Sequence, residues 1–408
     1  MTGSVDVLIV GGGPVGAALA ALLARAGQRE SRPPRIVVLE PHRPALPSAD
    51  APIDARVVAC SRASERIVTS AGAWDAIRQT RASPYERMRV WHESVTPDSE
   101  GALVFDAAEV GEPNLGWIVE NRVLQAALLD AATDAGASVD PGQLKTVRIE
   151  DDGVHVGTSV GTYVARLIVG ADGAQSAVRN AIGLIAETGD YGQTAIVAMV
   201  ATGRPHEKTA WQRFMHDGTL AFLPLADGTS SIVWSADDER ARSLLAASPE
   251  AFASELDSAL DHALGKTRLI SNRASFPLRK LSAPRLVAHR CALIGDAAHV
   301  VHPLAGQGVN LGLLDAAALA QCLLEGRAER EDPGALRLLR RYERWRKSET
   351  EALRLAIDSF DRFLAHGAGP VSKLAQRGLG WVNRSQEVKR IFISRALGVS
   401  GELPQAAR

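Results

Sequence analysis

Apolar positions run along this chain in two rhythms. Near the N-terminus, Val5–Val10 is a short, mostly apolar run with β-branched residues, the pattern of a buried strand in a parallel sheet. "GGGPVG" follows, and Ala17–Ala26 is then a run of strong helix formers. "RIVVLE" (Arg35–Glu40) predicts a second strand, ending on an acid, after the polar, proline-bearing insert "GQRESRPPR". Val119–Ala137 predicts an amphipathic helix closed by Gly136, with Asn121 and Arg122 at its start. Ala165–Arg179 predicts another strand, an Asp172–Gly173 turn and a helix carrying Ser176 and Arg179 in its first turns.

From about residue 190 to 280 the rhythm changes. "AIVAMVAT", "LAFLPLADG", "SSIVWSADD" and "NRASFPLRK" are short alternating runs separated by Gly, Asp and Thr turns, which predicts an antiparallel sheet inserted between parts of the first domain. Its aromatic residues Trp211, Phe214, Phe222 and Trp234 are candidates for a large apolar pocket, with ordinary core packing as the competing reading for each. Ile294–Ala317 then brings a second glycine-rich stretch, "IGDAAHVVHPLAGQGVNLGLLDAA", which runs into an apolar helix. Residues 335–360 predict a charged helix, and residues 371–400 carry six basic residues against one acid, the pattern of a basic helical face or of a contact with an anionic surface. The expected division is a discontinuous first domain over 1–180 and 281–350, a sheet domain over 181–280 and a C-terminal helical region over 351–408.

Composition narrows the function classes. The chain has 408 residues, 46% of them hydrophobic and 23% charged, with a formal net charge of −1, which gives no electrostatic case for nucleic-acid binding. Cys60, Cys291 and Cys322 lie far apart with no Cys-x-x-Cys pair, so neither a zinc ribbon nor a disulfide scaffold is expected. The start "MTGSVDVLIVGGG" lacks a basic segment and a long apolar run, so no signal peptide is expected. Residues 308–324 come nearest to a membrane span but are interrupted by Asn310, Asp315 and Gln321, which leaves a cytoplasmic protein as the expectation, with peripheral contact to the inner membrane beside it.

The first glycine turn carries chemistry. Gly11, Gly13 and Gly16 stand in G-x-G-x-x-G spacing between a strand and a helix, with Pro14 and Val15 inside the motif and Glu40 ending the next strand. Gly11 permits the tight turn, Gly13 lets backbone approach a pyrophosphate, and Gly16 lets helix and strand pack closely. The helix N-terminus adds free N–H groups, and an acid at Glu40 suits ribose hydroxyls. Arg56, just before an expected helix, is within reach of a phosphate. Asp296, His299 and His302 have a spacing that a metal site permits on a helix, but Pro303 and the surrounding glycines argue for a loop, and no metal is expected.

These motifs occur together in a known family. GGGPVG with Glu40, the turn at Gly170–Gly173 and "GDAAHVVHPLAGQGVNLG" at Gly295–Gly312 resemble the FAD-dependent aromatic hydroxylases of the p-hydroxybenzoate hydroxylase fold. The stretches "DARVVACSRAS", "WIVENRVLQAALLDA", "LAFLPLADGTSSIVW" and "HPLAGQGVNLGLLDAA" are similar to the ubiquinone-biosynthesis hydroxylases within it. The resemblance implies an α/β fold: a Rossmann-type FAD-binding domain, an inserted mostly antiparallel substrate sheet and C-terminal helices.

It also implies roles. Gly11, Gly13, Pro14, Val15, Gly16 and Glu40 would hold the ADP half of FAD, and Arg56 the phosphates. Asn121 stands where many members carry Arg or Gln, with Arg122 one residue later. Asp172 belongs to a motif linked to FAD and NAD(P)H, and Asp296 would hold the middle of the cofactor. Gly306, Gly308, Val309 and Asn310 would face the flavin ring, with His302 and Pro303 beside the reacting centre. The implied reaction uses NAD(P)H and O2 to form a flavin hydroperoxide that hydroxylates a polyprenylated phenol, with a ubiquinone-biosynthesis complex as an implied partner. A small soluble aromatic substrate and a non-catalytic flavoprotein subunit are the alternatives.

Overall fold

The computed structural model describes residues 2–28, 30–48, 50–301, 307–364, 398 and 401–408. Among these, two large sheets and one small one organise the chain. The first sheet is centred on the strand Thr2–Val10, which pairs in parallel with Thr162–Gly170 on one side and Ile36–Leu39 on the other. Cys291–Leu293 and Ser138–Asp140 extend it in parallel, and Val287–Ala288 closes one end antiparallel. Val5, Leu8, Ile9 and Val38 are buried, as expected for strands covered on both faces.

The helix Pro14–Gly27 lies at the centre of the layer above this sheet and packs on both Asn121–Asp134 and Gln307–Ala328. Ala17, Ala18, Ala20, Ala21 and Ala24 are all buried, and such small side chains let three helices approach closely. The long helix Leu336–Leu364 packs in turn on Gln307–Ala328. Gln307–Ala328 contains the one stretch among the described residues that is long and apolar enough to cross a membrane, and 67% of that stretch is buried inside the fold.

The second large sheet is mostly antiparallel. Its order runs His299–Val300, Ala274–Ser282, Glu187–Thr202, Ser230–Asp237, Gly218–Pro224, Thr209–Met215, Arg87–His92 and Leu103–Asp106. Arg87–His92 and Leu103–Asp106 come from well before residue 181, so the sheet reaches outside the expected 181–280 segment at both ends. The third sheet sets Gly116–Glu120 between Val57–Ser61 and Ala82–Tyr85.

Two local expectations change. Val119 and Glu120 belong to the strand Gly116–Glu120, and the amphipathic helix starts at Asn121. Arg56 precedes the strand Val57–Ser61, and the helix Arg62–Ser70 follows only after it. Both segments begin with an apolar run whose β-branched residues pair across the small sheet, a non-local contact that overrides helical periodicity.

The sheet decides between the two readings of its aromatic residues, in favour of core packing for most of them. Register pairs Trp211 with Phe222 and Leu220 with Trp234, so these side chains share one face. That face packs under the helices Asp238–Ala246 and Pro249–Ala259, where Trp234 meets Phe252 with ring centroids 5.9 Å apart. Phe222 and Trp234 are therefore core residues, Phe214 is buried as well, and only Trp211 also reaches the cavity wall. The opposite face, with Val197, Ala221, Leu223 and Val233, looks into the cavity.

Candidate active site

The glycine turn is built by exclusion of side chains. Gly11 has φ +101°, and a Cβ there would lie 2.4 Å from the Ala171 carbonyl oxygen. A Cβ on Gly16 would lie 2.0 Å from the Gly11 carbonyl oxygen. Gly13 differs, because a Cβ there would meet nothing within 4 Å. Its bare backbone faces open space at the N-terminus of Pro14–Gly27, with Gly13 as N-cap and Pro14 in the first turn. Glu40 accepts from the Gly12 N–H at 2.9 Å through Oε2 and from the His42 N–H at 2.9 Å through Oε1. Both bonds fix the carboxylate beside the turn.

The second glycine stretch meets the first at Val15. Gly295, at φ +59°, would place a Cβ 3.2 Å from Val15, and a Cβ on Gly312 would fall 2.5 Å from it. Val15 thus serves as the packing contact that lets the Gly295 turn and the Gln307–Ala328 helix sit against the Gly11–Gly16 turn. Asn310 fixes that helix from the other side. Its Oδ1 accepts from the Ser61 N–H at 3.0 Å and from Ser64 Oγ at 2.6 Å, and its Nδ2 donates to Ala59 O at 2.9 Å.

Asp172 Oδ2 accepts from the Ala177 and Val178 N–H groups and caps that short helix, while its buried Oδ1 has no hydrogen-bond partner. Arg179 is buried and donates to Ala174 O at 2.8 Å and Ala297 O at 2.9 Å, joining the Asp172 turn to the Gly295 turn.

A cavity of about 1160 Å³ lies between the large antiparallel sheet and the small three-stranded sheet. Asp296, Arg56, Asn121, Gly308 and Val309 line one end, and Val197, Leu223 and Val233 line its sheet wall. Asp296 is exposed to the cavity, yet the protein crowded beside it desolvates its carboxyl enough to raise it above the ordinary range, against the pull of His299 and Arg56. Asn121 faces this cavity. Arg122 turns away, donating through Nη2 to Pro52 O at 2.6 Å and through Nε to Glu120 at 3.2 Å. His302, Pro303 and Gly306 lie outside the described residues.

Beneath the Asp296 turn sits a buried charge cluster. His299 Nε2 and Asp315 Oδ2 are 2.6 Å apart, Arg346 Nε donates to Asp315 Oδ1 at 2.7 Å, and the Gly295 N–H reaches Oδ2 at 3.1 Å. Desolvation pushes the fully buried Asp315 carboxyl up, but His299 and Arg346 outweigh it and hold the pKa below the usual carboxylate range. His299 is thereby engaged with Asp315, not grouped with Asp296. The cysteines are buried and free, with burial pushing Cys60 up to about 12 and Cys322 to about 11, so their thiolates are scarce at neutral pH.

A family model described as "FAD binding domain" matches residues 4–354. The chain is 37% identical over 406 residues to the ubiquinone hydroxylase UbiL of Rhodospirillum rubrum, covering 99% of this chain and 92% of that protein. It is 35% identical to the 3-demethoxyubiquinol 3-hydroxylase of Escherichia coli, covering 97% and 98% of the two chains. The chain belongs to the ubiquinone-hydroxylase family of FAD-dependent monooxygenases. Its fold is that of the solved p-nitrophenol 4-monooxygenase of Pseudomonas putida, with TM-score 0.76 at 20% identity, covering 97% of this chain and 98% of that one.

The residues fit the cofactor of this hydroxylase family. The open cradle at Gly13, the fixed Glu40 carboxylate, the unpartnered buried oxygen of Asp172 and the Gly308 helix start, with open space at its own absent Cβ, suit an extended dinucleotide. Sequence reasoning missed polar side chains that enter the cavity from the sheets, among them Tyr85, Gln212, Thr219 and Ser235. Tyr85 sits in "ASPYER", whose proline and charges look like a loop, and burial with the neighbouring Cys60 holds its phenol protonated. The other three were readable only once register was known.

Proposed function

We propose that this chain hydroxylates the aromatic ring of a polyprenylated phenol in ubiquinone biosynthesis, using FAD, NAD(P)H and O2. The observation that carries this reading is near-full-length similarity to two ubiquinone hydroxylases, joined to a large cavity with an aliphatic wall. Bound FAD supplies the electron transfer and oxygen activation; the protein supplies placement and dryness.

Gly11, Gly13 and Gly16 bring backbone to the pyrophosphate, and Glu40 receives the adenosine ribose. Arg56 and Asp296 flank the middle of the cofactor, with Asn121 beside them. Gly308, Val309 and Asn310 begin a helix whose free N–H groups and positive end favour negative charge on a reduced ring. The aliphatic surface of Val197, Leu223 and Val233 excludes water, which limits loss of activated oxygen as peroxide. The same surface suits an isoprenoid tail. His302 and Pro303 complete the substrate end of this proposal, and a peripheral membrane contact or a quinone-biosynthesis complex would deliver so apolar a substrate.

The test has two arms. Purified protein reconstituted with FAD is assayed for substrate-stimulated NAD(P)H oxidation, and quinone-deficient strains each lacking one ring hydroxylase are complemented with the gene. Restored quinone in one strain, with loss of its accumulated intermediate, is the expected result. FAD binding without rescue of any strain overturns the substrate class.

A further inference from the structure

We infer that Glu120 is a positioning residue for Arg56, holding the cofactor-side arginine through a fastened loop. Glu120 is 3% exposed and lies at the junction of the strand Gly116–Glu120 and the helix Asn121–Asp134. It makes no cap bond to its own helix. Its Oε2 accepts instead from the Asp54 N–H at 2.8 Å and from Arg122 Nε at 3.2 Å. Arg81 Nε stands 3.2 Å from the other oxygen.

Both arginines also grip the incoming loop by its carbonyls. Arg81 Nη1 donates to Ala51 O at 2.7 Å, and Arg122 Nη2 donates to Pro52 O at 2.6 Å. One buried carboxylate therefore holds Arg122 by a hydrogen bond and pairs in charge with Arg81, and three attachments hold the chain at positions 51, 52 and 54. Arg56 follows at once. Its N–H donates to Asp54 Oδ1 at 2.9 Å and its carbonyl accepts from the Asn121 N–H at 3.0 Å, while its side chain is exposed at the cavity. An exposed arginine on an irregular segment has little to fix it but its backbone, and the fastening of the loop immediately before it, at positions 51, 52 and 54, runs through Glu120 and its two arginines. The same arrangement explains why Arg122, expected at the cofactor, points away from the cavity.

The inference rests on the proposed placement of Arg56 at FAD, and its readout is FAD binding, which does not depend on the identity of the phenol. FAD affinity is measured by quenching of flavin fluorescence for the full chain, for Glu120→Gln, for Arg56→Gln and for the double variant. Glu120→Gln keeps size and the Asp54 bond but removes the charge that pairs with both arginines. It is expected to raise the Kd for FAD roughly tenfold, within the range known for residues that orient a ligand's direct partners. Tryptic cleavage after Arg56 in the FAD-free protein should accelerate in parallel.

The deciding comparison is the cycle: the double variant should bind FAD no more weakly than Arg56→Gln alone. Multiplying losses, or wild-type affinity in either single variant, overturns the inference. Arg122→Gln provides an independent break in the same fastening, with a smaller loss and the same dependence on Arg56. Wild-type FAD binding without hydroxylation of any prenylated phenol would instead sink the substrate reading and leave this one standing.

Discussion

Gly13 and Gly16 are not interchangeable: both are glycines of one motif, yet their absent side chains face different things. A methyl on Gly16 would collide with the Gly11 carbonyl, whereas one on Gly13 would enter open space. Gly16→Ala should therefore lower thermal stability of the FAD-free protein, while Gly13→Ala should leave it unchanged and weaken FAD binding, as read by unfolding scans with and without the cofactor. Asp315 gives the second residue-scale prediction. Asp315→Asn leaves Arg346 buried without its counter-charge and should cost about 3–5 kcal/mol in denaturant unfolding. The Asp315 pKa is lower folded than unfolded, so its stabilisation is present at neutral pH and is lost as pH falls below the ordinary carboxylate range. The variant should accordingly show a shallower acid destabilisation than the parent.

At the scale of elements, the inserted sheet separates stability from substrate handling by strand parity. Phe222→Ala empties the face under the helices Asp238–Ala246 and Pro249–Ala259 and should cost about 3–5 kcal/mol of stability. Ala221→Phe, on the neighbouring position, projects into the cavity and should raise KM for an apolar phenol while the unfolding midpoint stays near the parent value. The strand, glycine turn and helix of residues 5–26 were legible from the sequence because their signals are local: apolar run, glycine spacing and helix formers follow one another directly. Which side of Trp211, Phe222 and Trp234 meets the cavity was not, since each of these strands carries apolar residues on both faces and only register assigns them. The strands Arg87–His92 and Leu103–Asp106 were missed because the first pairs with Thr209–Met215, more than a hundred residues away, and the second joins the sheet only through the first. Asn121 and Arg122 were equally plausible at the cavity until the Glu120 cluster claimed the arginine.

For the whole molecule, the cofactor is a structural member as well as a reagent. The turn at Gly11–Gly16, the Gly295 turn and the helix Gln307–Ala328 come from distant parts of the chain and meet at Val15. Saturating FAD at about a hundred times its Kd should add about 2.7 kcal/mol to stability, measured as a concentration-dependent rise in the unfolding midpoint. Asp296→Ala should reduce FAD occupancy of the purified protein. Gly308→Val should disturb the flavin absorbance and its reduction by NAD(P)H while adenine-side affinity persists. Parent-like spectra and turnover in both variants would remove these residues from the cofactor's path.

The strand Thr2–Val10 gains its first neighbour at Ile36–Leu39 and its second only at Thr162–Gly170. On a ribosome these partners emerge on the order of ten seconds apart. Val15 waits longer still, until Gly295 and Gly312 arrive to cover it. An apolar strand and an apolar helix are thus made well before their final partners, and they stay without those contacts until the residues near 312 have been added. Productive yield should for that reason depend on holding chaperones more than on FAD supply, which becomes useful only once the last glycine stretch has left the ribosome.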